Sequence, residues 1–177
     1  MDYANSYDSP LGAITLASDG CSLTGLWFEG QKYFAVTLRA GHQEGNLPVF
    51  EDAARWLDTY FEGKEPDFTP PLALRGSAFC REVWGALLEI PYGQTTTYGE
   101  IARILAARHG LGKVSARAVG GAVGRNALSI IIPCHRVIGA RGNLTGYAGG
   151  IDRKIKLLAL EGIDTARFSI PKTGSAP

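Results

Sequence analysis

Residues 63–76 constrain the fold of this chain most. They carry three prolines, Pro66, Pro70 and Pro71, and show neither the helical nor the strand period of apolar residues. Proline fixes φ and removes a backbone donor, so neither a helix nor a central strand runs through such a stretch. It reads as a linker between a domain at 1–75 and another at 76–170, with 171–177 as a loose tail. The charge divides at the same place. Residues 1–75 hold 5 Lys and Arg against 11 Asp and Glu, and residues 76–177 hold 13 against 6. An acidic half joined to a basic one suggests that the basic half meets a polyanion. Chance segregation of solvated charge is the plainer alternative.

A chain of 177 residues can bury an ordinary core in one large or two small domains. No apolar run approaches the ~20 residues of a membrane span, and Met1 to Asn5 lacks the features of a signal peptide. A cytoplasmic protein with no membrane contact is expected. Cys21, Cys80 and Cys134 are odd in number and widely spaced. They make neither a disulfide framework nor a zinc ribbon and should be thiols.

The acidic half opens with β-structure. Pro10-Leu11-Gly12 and Ser18-Asp19-Gly20 are turn signals around the apolar segments Ala13 to Ala17 and Leu23 to Phe28. Tyr33 to Leu38 reads as a further strand. Leu47 to Glu62 reads as a helix, with Pro48 in its first turn, a stripe of Val49, Ala53, Trp56, Leu57 and Tyr60, and Gly63 as the stop. The basic half is a series of helices. Ser77 can cap a helix striped by Phe79, Val83, Ala86, Leu87 and Ile90, ended by Pro91-Tyr92-Gly93. Thr97-Tyr98-Gly99-Glu100 matches a capping box for a helix reaching about Arg108. After the turn Gly110-Leu111-Gly112, Ser115 can cap a short helix over 116–124. This pair resembles a helix-turn-helix. The expected fold class is α/β (α+β): a small N-terminal α/β domain with antiparallel strands and one helix, followed by a mainly helical C-terminal domain of winged-helix type.

The helix at 116–124 is unusual. Gly120, Gly121 and Gly124 sit among alanines, and each internal glycine costs about 1 kcal/mol relative to alanine. Such a bare surface suits close approach to another backbone. With Arg117 and Arg125 beside it, the approach of nucleic acid and tight packing inside the protein fit equally well locally. The charge asymmetry favours nucleic acid.

The chemistry centres on Ile130-Ile131-Ile132-Pro133-Cys134-His135-Arg136-Val137. The isoleucines read as a buried strand that stops at Pro133. A turn there can aim Cys134 and His135 into one cavity, the pairing that nucleophilic sulfur needs. A merely buried cysteine is the alternative. The loop from 139 to 150 holds five glycines and Tyr147 and can wall a pocket, or it is an ordinary surface loop. A last helix spans about 152–161. Glu161, in its final turn, opposes the helix dipole at a cost of roughly 0.3–1 kcal/mol. A local rule broken in this way can mark a functional residue, and Glu161 could orient His135. A solvated surface acid is the other reading.

These residues together resemble the O6-alkylguanine-DNA alkyltransferases, also called methylated-DNA–protein-cysteine methyltransferases. Pro133-Cys134-His135-Arg136-Val137 looks like their signature. Tyr98, Arg117 to Ala122, Asn126, Gly146 to Gly150 and Leu157 to Gly162 follow in the family's order. The resemblance is strong from about 77 to 165. It extends more loosely over the first half, where Tyr7 to Gly12 and Gly25 to Phe28 look like the bacterial branch. It implies repair of O6-alkylguanine, and of O4-alkylthymine as a further substrate, by a single irreversible transfer of the alkyl group to Cys134 after base flipping. His135 would take the thiol proton through a water, Glu161 would orient His135, and the two would raise the thiolate fraction of Cys134. Arg117 would fill the gap left by the base, and Tyr98 would act on the phosphate beside it. Ala116, Gly120, Gly121 and Arg125 would complete the DNA face. Asn126, Val137, Tyr147 and Ala148 would belong to the guanine pocket and its support. The implied partner is double-stranded DNA bound through the minor groove by a monomer, with no cofactor. Ala127 follows Asn126 where many members have proline. Some relatives bind zinc in the first domain, but here that half offers only Cys21 and His42, so no metal is expected. A winged-helix regulator with an inert thiol would share the basic half yet leave Cys134, His135 and Glu161 unexplained. A cysteine hydrolase would not need the helix-turn-helix.

Overall fold

A computed structural model describes residues 1–110 and 112–170. Leu111 of the expected turn and the expected tail at 171–177 lie outside the described residues. The fold is mixed α/β, with a sheet in the first half and helices in the second, and the chain divides into two compact units. One comprises Met1–Arg75 with Ala127–Ile131, and the other comprises Gly76–Asn126 with the residues from Ile132 onward.

In the first unit, strands β1 (Tyr3–Ser9), β2 (Gly12–Ser18) and β3 (Leu23–Phe28) form an antiparallel meander. The short β4 (Gln43–Glu44) adds in parallel to β1, giving the order β3-β2-β1-β4. Ser9 faces Gly12 across the first hairpin, and Gly12 has the positive φ (111°) that a side chain would resist. Helix α1 (Pro48–Phe61) packs on β1 and β2 through Val49, Phe50, Ala53, Trp56, Leu57 and Tyr60. β3 is buried along its whole length. Its outer edge is closed by residues from far along the chain: Leu26 N donates to Ala127 O (2.7 Å) and Ser129 N to Leu26 O (2.9 Å). The proline-rich stretch also contributes, with Leu23 N donating to Pro71 O and Ala73 N to Leu23 O, both at 2.8 Å. Arg75 forks onto the buried Asp2 at 2.5 and 2.8 Å, which holds that carboxyl down at about 2.

Two expected strands are absent from their places. Residues 32–37 form turns, because Tyr33 and Ala35 take positive φ (60° and 52°). The run still packs inward, with Ala35 and Leu38 against Trp27. Ile130–Ile132 is likewise a turn, with Ile130 at φ 70°. β-branched residues make either region look like strand, but a left-handed φ ends any ladder. Burial alone, rather than pairing, explains the three isoleucines.

In the second unit, α2 (Ala78–Leu88), β5 (Thr96–Thr97), α3 (Tyr98–Arg108), α4 (Ala116–Gly124), β6 (Val137–Ile138) and α5 (Ile151–Leu160) follow in order. The predicted caps are in place: Ser77, Thr97 and Ser115 each accept a backbone N–H from the third residue on. Helices α2, α3 and α4 pack together around Val83, Leu87, Ile101, Leu105, Val119 and Val123, and Trp84 Nε1 donates to Ala122 O (2.9 Å). β5 and β6 pair in parallel, so the start of α3 lies beside the segment that follows Cys134. Ile138, Leu144, Leu158 and Ile163 form a separate cluster that seats α5.

Candidate active site

Pro133 ends the isoleucine turn, and a 3₁₀ turn begins at Cys134 and runs to Arg136. Cys134 and His135 are 4% and 0% exposed. Asn126, just past α4, donates through Nδ2 to Cys134 Sγ (3.2 Å) and to Ile132 O (2.8 Å). A residue just past α4 therefore touches the Cys134 sulfur itself.

Glu161 is the hub on the other side. It caps the C-terminal end of α5 instead of lying in its last turn, and Gly162 (φ 76°) turns the chain away. His135 Nε2 lies 2.6 Å from Oε1, Arg136 donates to Oε2 (2.9 Å) and Oε1 (3.1 Å), and Gly93 N donates to Oε2 (3.0 Å). Burial by itself would push this carboxyl up, but His135 and Arg136 outweigh burial and hold it down at about 2. The acid that looks misplaced on the sequence is compensated by two cationic or N–H-bearing side chains and one amide. A permanently ionised Glu161 requires the hydrogen on His135 Nε2 and makes Nδ1 the basic atom. Burial pulls the His135 pKa down, against the pull of Glu161, so the imidazole is neutral at rest.

Burial opposes the expected rise in the thiolate fraction of Cys134. Burial pushes the Cys134 thiol up, and Asn126, the charge of Lys154 and the amides of the turn only partly offset it. Desolvation of the buried sulfur outweighs what Asn126, Lys154 and the turn amides return, so the thiol is protonated at rest. The nearby positive charge belongs to Lys154, a fully buried residue of α5 that donates to Val137 O (2.5 Å) and Thr145 O (2.9 Å). Burial lowers its pKa to about 8.

Lys154, Gly93 and Arg136 were missed as site residues from sequence. Lys154 looks like one more polar residue of an amphipathic helix. Gly93 sits in what reads as a helix stop, and its partner is 68 residues away. Arg136 lies within the quoted signature, where nothing local reveals that it grips Glu161, the Ile90 carbonyl (2.6 Å) and the Tyr92 ring.

The residues expected at a pocket lie near this centre. Tyr147 is buried, its ring edge-on to His135 with centroids 6.5 Å apart. A side chain at Gly149 would meet that ring at 2.6 Å, so glycine is required there. Val137 presents its carbonyl to Lys154, and Ala148 is half-buried. Tyr98 donates to Thr145 O (3.1 Å), and burial raises its pKa to about 12.

On α4, Ala116 and Arg117 are exposed, as is Arg125 after it. An added Cβ would meet only the Tyr98 ring at Gly120 (3.8 Å) and Arg125 at Gly121 (3.9 Å), and nothing within 4 Å at Gly124. Internal packing therefore does not account for the bare face. No helix among the described residues is long and apolar enough to cross a membrane.

A buried thiol set between a histidine–glutamate pair and the end of a helix-turn-helix with a bare, basic second helix defines a class: proteins that bring a cysteine nucleophile to nucleic acid. The DNA-binding domain model of 6-O-methylguanine DNA methyltransferase matches residues 78–163, and the ribonuclease-like domain model of the same family matches residues 3–74. The chain is 50% identical over 154 residues to a methylated-DNA–protein-cysteine methyltransferase of Mycolicibacterium paratuberculosis (87% of this chain, 88% of the relative). It is 46% identical to one of Methanosarcina acetivorans (90% and 98%). Among solved structures, the Mycobacterium tuberculosis O6-methylguanine methyltransferase superposes with a TM-score of 0.77 at 44% identity (98% of this chain, 97% of that one). The M. tuberculosis OGT in complex with DNA gives 0.76 at 45% (94% and 94%). The chain belongs to the 6-O-methylguanine DNA methyltransferase family. Its reaction is repair of DNA by transfer of an alkyl group to a protein cysteine.

Proposed function

We propose that Cys134 is the alkyl acceptor and that the lesion is O6-alkylguanine in duplex DNA, approached through the minor groove by a monomer. The observation that carries this is Asn126, which holds Cys134 Sγ from the end of the glycine-rich helix. A base inside the stack is out of reach of any side chain, so the guanine must be flipped out at a cost of a few kcal/mol. Arg117, exposed on α4, fills the vacated space, and Ala116, Gly120, Gly121 and Arg125 lie along the backbone. Tyr98 bears on the adjacent phosphate. In the pocket, Sγ attacks the alkyl carbon, a C–S bond forms and the C–O6 bond breaks. The thiol proton passes to His135 Nδ1 and from there on to the departing guanine, which leaves neutral with no net proton gained or lost. Ionised Glu161 stabilises the imidazolium that forms. Tyr147 and the Ala148 amide are the candidate donors to the departing purine. The thioether has no hydrolytic partner, so each molecule acts once. Free thiols at Cys21, Cys80 and Cys134 suit a reducing compartment, and we place the reaction in the cytoplasm.

Arg117→Ala tests the reading. It should slow transfer from duplex O6-methylguanine far more than transfer from free O6-benzylguanine. Equal losses would contradict the gap-filling role. Cys134→Ala should abolish transfer and keep DNA binding.

A further inference from the structure

The hydroxyl of Tyr98 has one hydrogen, and that hydrogen is committed to the Thr145 carbonyl, 3.1 Å away. A phosphate oxygen only accepts. Tyr98 cannot donate to a phosphate and to Thr145 at once. Its ring lies against Gly120 of α4, so the side chain spans from the DNA-facing helix to the segment Gly146-Tyr147-Ala148 that follows Thr145. On the repair reading that segment is the pocket wall; Tyr147 within it is 8% exposed, and Cys134 is 4% exposed. A purine reaches Sγ only after the wall shifts. Lys154 Nζ, 2.9 Å from the same carbonyl, keeps Thr145 partnered when the hydroxyl leaves, so release strands no buried acceptor.

Building on the repair reading above, we propose that Tyr98 is a specificity-determining residue. Its hydroxyl holds the pocket wall closed until a backbone phosphate draws it away, so that alkylguanine carried by DNA is accepted in preference to the free alkylated base. A protein that reacts once is thereby kept from discharging its thiol away from DNA.

The test is Tyr98→Phe in single-turnover assays with free O6-benzylguanine and with an O6-methylguanine duplex. The free-base rate constant should rise about two- to tenfold, the equivalent of one ordinary hydrogen bond, while the duplex rate falls. An unchanged or slower free-base reaction in a variant that melts like wild type overturns the proposal. Should the variant melt well below wild type, wild-type protein decides the matter on a duplex whose phosphate beside the lesion is a neutral methylphosphonate. A lower rate at saturating DNA supports the latch, and weaker binding with an unchanged saturating rate overturns it. Failure of wild type to alkylate Cys134 from either substrate would overturn the repair reading itself, an outcome distinct from both.

Discussion

Glu161→Gln is the most informative single change, because it separates what holds the site together from what makes it react. The carboxylate accepts from His135, twice from Arg136, and from Gly93 N, all out of water. Glutamine keeps the shape, removes the charge and turns one acceptor into a donor that faces other donors. Arg136 is 8% exposed and would be left as a buried cation without a counter-charge, held by the Ile90 carbonyl, the Tyr92 ring and at most the one amide oxygen of the glutamine. Breaking a buried pair from one side costs about 3–5 kcal/mol. For a chain of this size, that is a fall in Tm of about 6–20 °C. Transfer should fall by about 10²–10⁴-fold, the usual worth of a positioned general base. Adding Arg136→Met removes the stranded charge. Because a buried pair replaced as a whole is often neutral, the double variant should recover most of the stability while transfer stays low. Thermal melting and single-turnover alkylation of the single and double variants give both readings. A Glu161→Gln protein that melts within about 1 kcal/mol of wild type would refute the energetic argument. Transfer restored in the double variant would refute the role given to the carboxylate.

Three further outcomes are expected. Asp2 is held at about 2 by Arg75, below its ordinary 3.8. Its contribution, about 2 kcal/mol, is fully present above pH 3.8 and is lost as pH falls through about 2. Asp2→Asn should lower Tm at pH 7 and flatten its acid dependence between those values. Lys154 loses its proton near pH 8, so the alkylation rate should fall above that pH, and Lys154→Met should be slow and lack that limb. Gly121→Ala meets only Arg125 at 3.9 Å. It should stabilise the protein by up to about 1 kcal/mol yet weaken binding to duplex DNA in a gel-shift titration; unweakened binding would contradict the use assigned to the bare face.

The helices were legible in the sequence because their signals are local. Ser77, Thr97 and Ser115 announce their caps within three residues, and apolar stripes fix the buried faces. The misread strands share one cause. Ile130, Tyr33 and Ala35 adopt left-handed φ that nothing in their residue type suggests, so composition pointed to pairing where only burial was required. At the site, Cys134, His135 and Glu161 stood out because a motif or a broken dipole rule marks them. Lys154 and Gly93 did not, since their roles exist only through partners brought near by the fold. The state of the thiol was also invisible, because it depends on a balance between burial on one side and Asn126 and Lys154, brought near by the fold, on the other.

Intact mass before and after incubation with a duplex containing O6-methylguanine, followed by peptide mapping, tests the central claim most directly. The account predicts a gain of one methyl group on Cys134, saturating at one per chain. An unchanged mass with DNA binding intact, or repeated turnover by substoichiometric protein, would contradict it.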